Sequence, residues 1–166
     1  MFKLFRIPLA KKVVPVAIAS GEVLSNGDGV VPMPSYATAG SAAMDFCAAS
    51  ISPIVVKPGY SVKIPLGIKV AIKPGFKLTL KPRSGLALKH NITLTNSPAT
   101  IDSDYRGEVS AIIHNLGNQK FVVDPFMRIC QGEIEKVEQQ KFTEVFSETD
   151  LGETFRGEGG FGHTGI

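Results

Sequence analysis

The side chains able to do chemistry in this chain sit in short polar clusters, and several fail a specific test. Gly157-Glu158-Gly159-Gly160-Phe161-Gly162 fits G-x-G-x-x-G. A dinucleotide site needs a strand before that pattern, a helix after it and an acid about 20 residues further on. Only His163–Ile166 follow here, so neither helix nor acid is available, and a kinase glycine loop fails for the same reason. Asp102-Ser103-Asp104-Tyr105-Arg106-Gly107 begins like a calcium loop. Arg106 then holds the fifth ligand position and Ile113 the twelfth, where a glutamate is required. His90, His114 and His163 lack zinc spacing and cysteine partners. The first two read as polar edge or surface residues.

What remains is phosphate chemistry. Arg156 precedes five glycines within residues 157–165. Glycine lets backbone N–H groups approach phosphate oxygens, and arginine supplies a charged fork. Composition alone favours a solvated terminus for this stretch. Lys81-Pro82-Arg83-Ser84-Gly85 sets a cation and a hydroxyl before a short helical turn, whose start favours phosphate. The plainer role is a turn between strands. Asp102 and Asp104 flank another turn, where acids also serve turn geometry.

The elements that must position these clusters show a period of two. Val62, Ile64, Leu66, Ile68, Val70 and Ile72 share one face; Lys63, Pro65, Gly67, Lys69 and Ala71 share the other. This is a half-buried strand, or two joined at Pro65–Gly67. Pro58-Gly59 and Pro74-Gly75 close its ends as turns. Further strands are expected near 12–19 and over 53–57, 76–81, 92–95, 108–114, 120–124, 127–138 and 142–146. Only 84–90 reads as helical. Short strands separated by turn signals make an all-β sandwich or barrel. Residues 147–166 read as a mobile glycine-rich tail.

The chain has 166 residues, 43% hydrophobic and 20% charged, which fits one globular domain and excludes a disordered protein. Glycine and proline number 17 and 11, consistent with many turns. A net charge of +3 with no basic cluster beyond a pair argues against a nucleic-acid polymer as partner. The apolar run at 13–19 is shorter than the roughly 20 residues a bilayer span needs. Lys11, Lys12 and Pro15 interrupt it as a signal peptide. Cys47 and Cys130 read as free, buried thiols in a reducing compartment, so a cytoplasmic location is expected.

Five motifs combine these clusters into one pattern. They are A-G-S-A-A-M-D-F at 39–46, P-R-S-G-L-A at 82–87, and I-D-S-D-Y-R-G-E at 101–108 after N-S-P-A-T at 96–100. R-I-C-Q follows at 128–131 and R-G-E-G-G-F-G-H-T-G at 156–165. In order and spacing, from about residue 33 onward, the chain resembles the trimeric dUTP pyrophosphatase (dUTPase) family. Two positions depart from the family pattern. Ala43-Met44 stands where Gly-Tyr or Gly-Leu is usual, and Cys130 where Ala is usual. Both are small apolar exchanges beside retained polar residues.

The resemblance implies a jelly-roll-like β-barrel over residues 1–146 and a tail over 147–166 that completes a neighbour's site. It implies a homotrimer with active sites at subunit interfaces. The implied reaction is dUTP and water to dUMP and pyrophosphate, removing dUTP and supplying dUMP for thymidylate synthesis. The resemblance also implies Mg²⁺, held mainly by the triphosphate and water. Asp102 matches the acid that activates the water attacking the α-phosphorus. Arg83, Ser84, Gly85 and Gln131 match phosphate contacts. Arg156, Gly162, His163 and Thr164 match the tail over the γ-phosphate, and Phe161 the aromatic over the base. Asn96 and the backbone at Thr100 and Ile101 match the reader of uracil, and Tyr105 the ring against deoxyribose. Ser110 matches a variable substrate contact. Asp45 and Arg128 match a supporting polar pair. Two rivals remain: a dCTP deaminase of the same fold, which would need a different second motif, and a non-catalytic nucleotide-binding regulatory trimer.

Overall fold

The computed structural model describes residues 17–20, as backbone, and 31–165. Eleven strands and one helix make up its regular core. They are β1 (Ala17–Ser20), β2 (Ser35–Tyr36), β3 (Met44–Cys47), β4 (Ile54–Val56), β5 (Ser61–Ala71) and β6 (Phe76–Pro82), then helix α1 (Ser84–His90). After it come β7 (Ile92–Leu94), β8 (Ala99–Ile101), β9 (Glu108–Asn115), β10 (Phe121–Val123) and β11 (Arg128–Lys136). All pairings are antiparallel. One sheet runs β1-β5-β9-β7 and another β2-β3-β11-β6-β8, with β10-β4 as a two-stranded ribbon. The all-β expectation holds, and so does the helix over 84–90.

The core forms because alternate residues of each strand are apolar. Ile64, Leu66, Ile68 and Val70 of β5 are buried, as are Val109, Ala111 and Ile113 of β9. They meet Leu78 and Leu80 of β6 and Ile129 of β11 in one cluster. The two readings of the long strand resolve as one strand with an irregularity. Pairing of β5 with β9 shifts register between Pro65 and Lys69. Gly67 sits in that shift at φ +67, where a Cβ would stand 2.9 Å from both Ala49 Cβ and Val31 Cγ2. Only glycine fits such a bulge without strain.

Two expectations need correction. The stretch 142–146 is not a strand. No neighbouring edge pairs with it, and Phe142 and Phe146 are fully exposed. The strand expected near 12–19 is seen only from Ala17, and its earlier residues lie outside the described ones. Three short strands, β2, β3 and β8, carry no alternating apolar signal and were not anticipated. Both cysteines are free and buried. No helix among the described residues is long and apolar enough to cross a membrane.

Candidate active site

The first half of the site is built by the segment between β8 and β9. β8 pairs with β6 in the register Leu78 to Ile101 and Leu80 to Ala99. The chain then turns at Asp102–Gly107 before β9. Asp102 is exposed on this turn, and its carbonyl accepts from the Tyr105 amide at 3.2 Å. The Tyr105 hydroxyl donates to the Glu108 carbonyl at 3.1 Å, so the ring folds back over the hairpin. Gly107 makes that fold-back possible, because a Cβ there would lie 2.4 Å from Tyr105 Oη. The result is a cavity of about 230 Å³ whose wall includes Asn96, Thr100, Ile101, Asp102, Tyr105 and Ser110. Six residues anticipated from sequence thus line one cavity. Glu108 and Lys63 also line it. Neither was anticipated, because a lone charged residue at a strand position reads as a solvated face.

The second half lies around the β6–α1 junction. Gln131 of β11 pairs in register with Asp45 of β3 on one side and Lys81 of β6 on the other. Arg83 Nε donates to Asp45 Oδ1 at 2.8 Å, and Arg128 Nη1 donates to Asp45 Oδ2 at 3.1 Å. Arg83 Nη1 also donates to the Arg128 carbonyl at 3.1 Å. One carboxylate is thus shared by two guanidinium groups, leaving positive charge and free donors over for an anion. Gln131 Nε2 donates to the Pro82 carbonyl at 2.8 Å, which fixes its amide beside the same junction. Ser84 and Gly85 open α1 and are exposed. Asp45 is therefore partner to Arg83 as well as to Arg128. Beneath them Cys130 is buried, which pushes its thiol up to about 12, and burial raises that of Cys47 too. Neither is a nucleophile near neutral pH.

Between the two halves, the β6–β11 surface carries interlocked charges. Thr79 Oγ1 donates to Glu135 Oε2 at 2.9 Å, Lys77 pairs with Glu135 at 3.3 Å, and Lys81 pairs with Glu133. The Thr79 hydroxyl first, then the neighbouring Glu133 carboxyl and the Lys77 ammonium, hold the Glu135 carboxyl down at about 2.

The halves do not meet within one chain. Ile101 pairs with Leu78, and β6 runs four residues on to Pro82, roughly 13 Å at strand rise, before Arg83 and Ser84. The tail joins neither half. Its hydrogen bonds are local, such as Arg156 Nε to the Gly159 carbonyl at 2.6 Å, and Phe161 is fully exposed. Gly162, His163 and Thr164 are exposed beside it. His114 Nδ1 lies 2.9 Å from Ser61 Oγ, and the His90 ring packs at a tilt against Phe121 with centroids 5.2 Å apart. Both fit the plain roles expected of them.

Comparison with known proteins decides what these halves belong to. The family model described as dUTPase matches residues 30–165. The chain belongs to the dUTPase family. It is 49% identical over 135 residues to the deoxyuridine 5'-triphosphate nucleotidohydrolase of Chlamydia felis, covering 81% of this chain and 92% of that one. Its fold matches that of the Staphylococcus bacteriophage 80alpha dUTPase with dUPNHPP at a TM-score of 0.76 and 19% identity. That match covers 92% of this chain and 99% of the phage protein. A mutant dUTPase from phage phi11 of S. aureus, whose structure describes a structural Mg(II) ion, matches at a TM-score of 0.68 and 17% identity. It covers 80% of this chain and 97% of that one.

Proposed function

We propose that this chain hydrolyses dUTP to dUMP and pyrophosphate at a site shared between copies of itself in a homotrimer, with Asp102 as the base. The overall reaction follows from membership of the family. The shared site is supported by one observation: Ile101 sits opposite Leu78, and β6 runs four residues further, roughly 13 Å at strand rise, before it ends at Pro82 and the chain reaches Arg83 and Ser84. A general base must lie within about 3 Å of the proton it takes, or one water away. The donors that stabilise the attacked phosphorus must touch the same phosphoryl group. Asp102 and the Arg83–Ser84–Gln131 group therefore serve one substrate only when two copies place them together.

In this reading the cavity beside Tyr105 takes the nucleoside. The backbone at Thr100 and Ile101, with Asn96 and Ser110, faces uracil. Cytosine reverses donor and acceptor along that edge and leaves polar groups unpaired, a strong basis for rejection. The Tyr105 ring lies against deoxyribose and fills the space a 2'-hydroxyl needs. Asp102 holds water in line with the α-phosphorus and accepts its proton. Arg83, Ser84, the Gly85 amide and Gln131 donate to phosphate oxygens, while Asp45 and Arg128 hold Arg83 in place. Arg156, Gly162, His163 and Thr164 of the tail cover the terminal phosphate, and Phe161 closes over the base. Phosphoryl chemistry needs this positioning and charge neutralisation more than covalent help.

Mg²⁺ fits the donor set as a companion of the substrate. Among the described residues no three acidic, histidine or cysteine side chains converge. Asp45, the carboxylate nearest the phosphate donors, is already shared by two arginines. Mg²⁺ commonly binds substrate phosphates and water with few protein ligands. Asp45 would reach it through water, and the ion would neutralise charge on the triphosphate.

The test is complementation. Asp102→Asn and Ser84→Ala chains are each expected to lose about 100-fold or more in pyrophosphate release. Unfolded together and refolded as a mixture, they should regain a substantial fraction of wild-type activity, because some shared sites receive both intact halves. A mixture no more active than its components, despite mixed assembly shown by native mass spectrometry, rules out the shared site.

A further inference from the structure

A separate cavity of about 280 Å³ opens at the end of α1 away from Ser84. Lys89, His90, Asn118, Gln119 and Lys120 are in its wall, and no acidic residue lines it. None of these residues belongs to either half of the active site. Among the described residues neither lysine is paired with a carboxylate. The register of the ribbon adds a third positive charge. Phe121 of β10 pairs with Val56 of β4, so the next residue outward on each strand is a lysine, Lys120 on one and Lys57 on the other. Like charges set opposite each other destabilise a strand pair, and a counter-charge between them reverses the sign.

The loop that walls this cavity is held by a buried polar group. Asn115 is fully buried, and its side chain serves this corner alone. Its Nδ2 donates to the Val56 carbonyl at 3.0 Å and to the Gln119 carbonyl at 2.8 Å, and its Oδ1 accepts from the Gly117 amide at 2.9 Å. The Leu116 amide donates to the Asn91 carbonyl at 2.9 Å, which ties the same loop to the end of α1. Three segments are thus fixed around one space, so a ligand there meets donors already in place. The helix end does not repel an anion. The Asn91 amide takes up the Ala87 and Leu86 carbonyls, and Lys89 and His90 occupy the last turn.

We propose that this cavity is a second binding site, for a small phosphorylated molecule whose phosphate lies between Lys89 and Lys120. The ammonium groups argue for phosphate over carboxylate. A carboxylate is best matched by the planar fork of arginine, whereas lysine binds phosphate as a compact point charge. The size argues for a small molecule over a nucleic-acid strand. A strand needs cations and stacking rings along a groove, and here the charge gathers around one closed corner. The inference stands apart from the dUTP-hydrolysing role, since the two sites share no residue.

The experiment titrates the full-length protein with inorganic pyrophosphate and follows the amide resonances of Gly117, Asn118, Gln119 and Lys120. These report the second site by position, so occupancy of the active site is read elsewhere in the same spectrum. Wild type should show a saturable shift at all four. Lys89→Ala combined with Lys120→Ala should weaken that binding by at least about 10-fold, as loss of hydrogen bonds to charged groups predicts. Lys73→Ala combined with Lys141→Ala removes the same charge from exposed positions elsewhere and should bind like wild type. Should the first pair fail to fold, Lys120→Gln alone should show a smaller loss in the same direction. No saturable shift in wild type, or equal weakening by both pairs of substitutions, overturns the proposal. So does a single-stranded oligonucleotide that shifts these resonances where pyrophosphate does not. Pyrophosphate release from dUTP is assayed separately, so failure of the catalytic reading and failure of this one are distinguishable.

Discussion

Tyr105 owes its position to a hydrogen atom. Gly107 carries no side chain, and any Cβ would stand 2.4 Å from the phenolic oxygen and 2.6 Å from Cζ. The ring is rigid and tied to the Glu108 carbonyl, so it has to swing away as a unit. Gly107→Ala is therefore expected to act like a partial loss of Tyr105. Discrimination between dUTP and UTP should fall by about tenfold, or ~1.4 kcal/mol, with the fold intact. Competition kinetics with both nucleotides measure it, and unchanged selectivity would show that something other than the ring rejects the 2'-hydroxyl. Most residues of the proposed site come from the five motifs taken together, and their types suit the proposed chemistry: an acid for a water, an arginine and an amide for oxyanions. Glu108 was not legible. It closes the third motif, yet its place in the cavity wall shows only in the fold. The link of Arg83 to Asp45 was equally hidden, since 38 residues separate them in sequence.

Among the elements, β5, β6, β9 and β11 announced themselves through alternating or continuous apolar runs. β3 and β8 did not, because Met44-Asp45-Phe46-Cys47 and Ala99-Thr100-Ile101 are short and carry site residues on one face. The false strand at 142–146 has the right side chains and no edge to pair with. Strands β6 and β11 also carry a charge lock with a pH signature. Glu135 is held at about 2 in the folded protein, against its usual 4.5. A depressed carboxylate contributes stability above its unfolded value and loses it as pH falls toward the folded one. Wild type should thus lose part of its stability between about pH 4.5 and 2. Glu135→Gln should flatten that part of the curve and be the less stable protein at pH 7. Urea midpoints across this range, at fixed protein concentration, give the comparison. Parallel curves for the two proteins would remove Glu135 from the account of acid stability.

At the level of the whole molecule, residues 147–165 are bonded only within their own segment, and Leu151, Phe155 and Phe161 are exposed. A chain ending at Leu151 should keep its circular dichroism spectrum and its assembled mass. Its turnover should drop by at least about 100-fold, since removing a single preorganised donor already costs that much. Near-normal turnover would detach the tail from the reaction. The separation between Ile101 and Ser84 has one more consequence, for abundance. If the site is shared as proposed, two half-sites on one chain give that chain no activity by itself, and output depends on how often copies find one another. Rate per chain then collapses below the concentration at which the copies part, and rises steeply above it. A cell making a trickle of this protein would hold none of its chemistry, and one making a modest excess would hold nearly all of it.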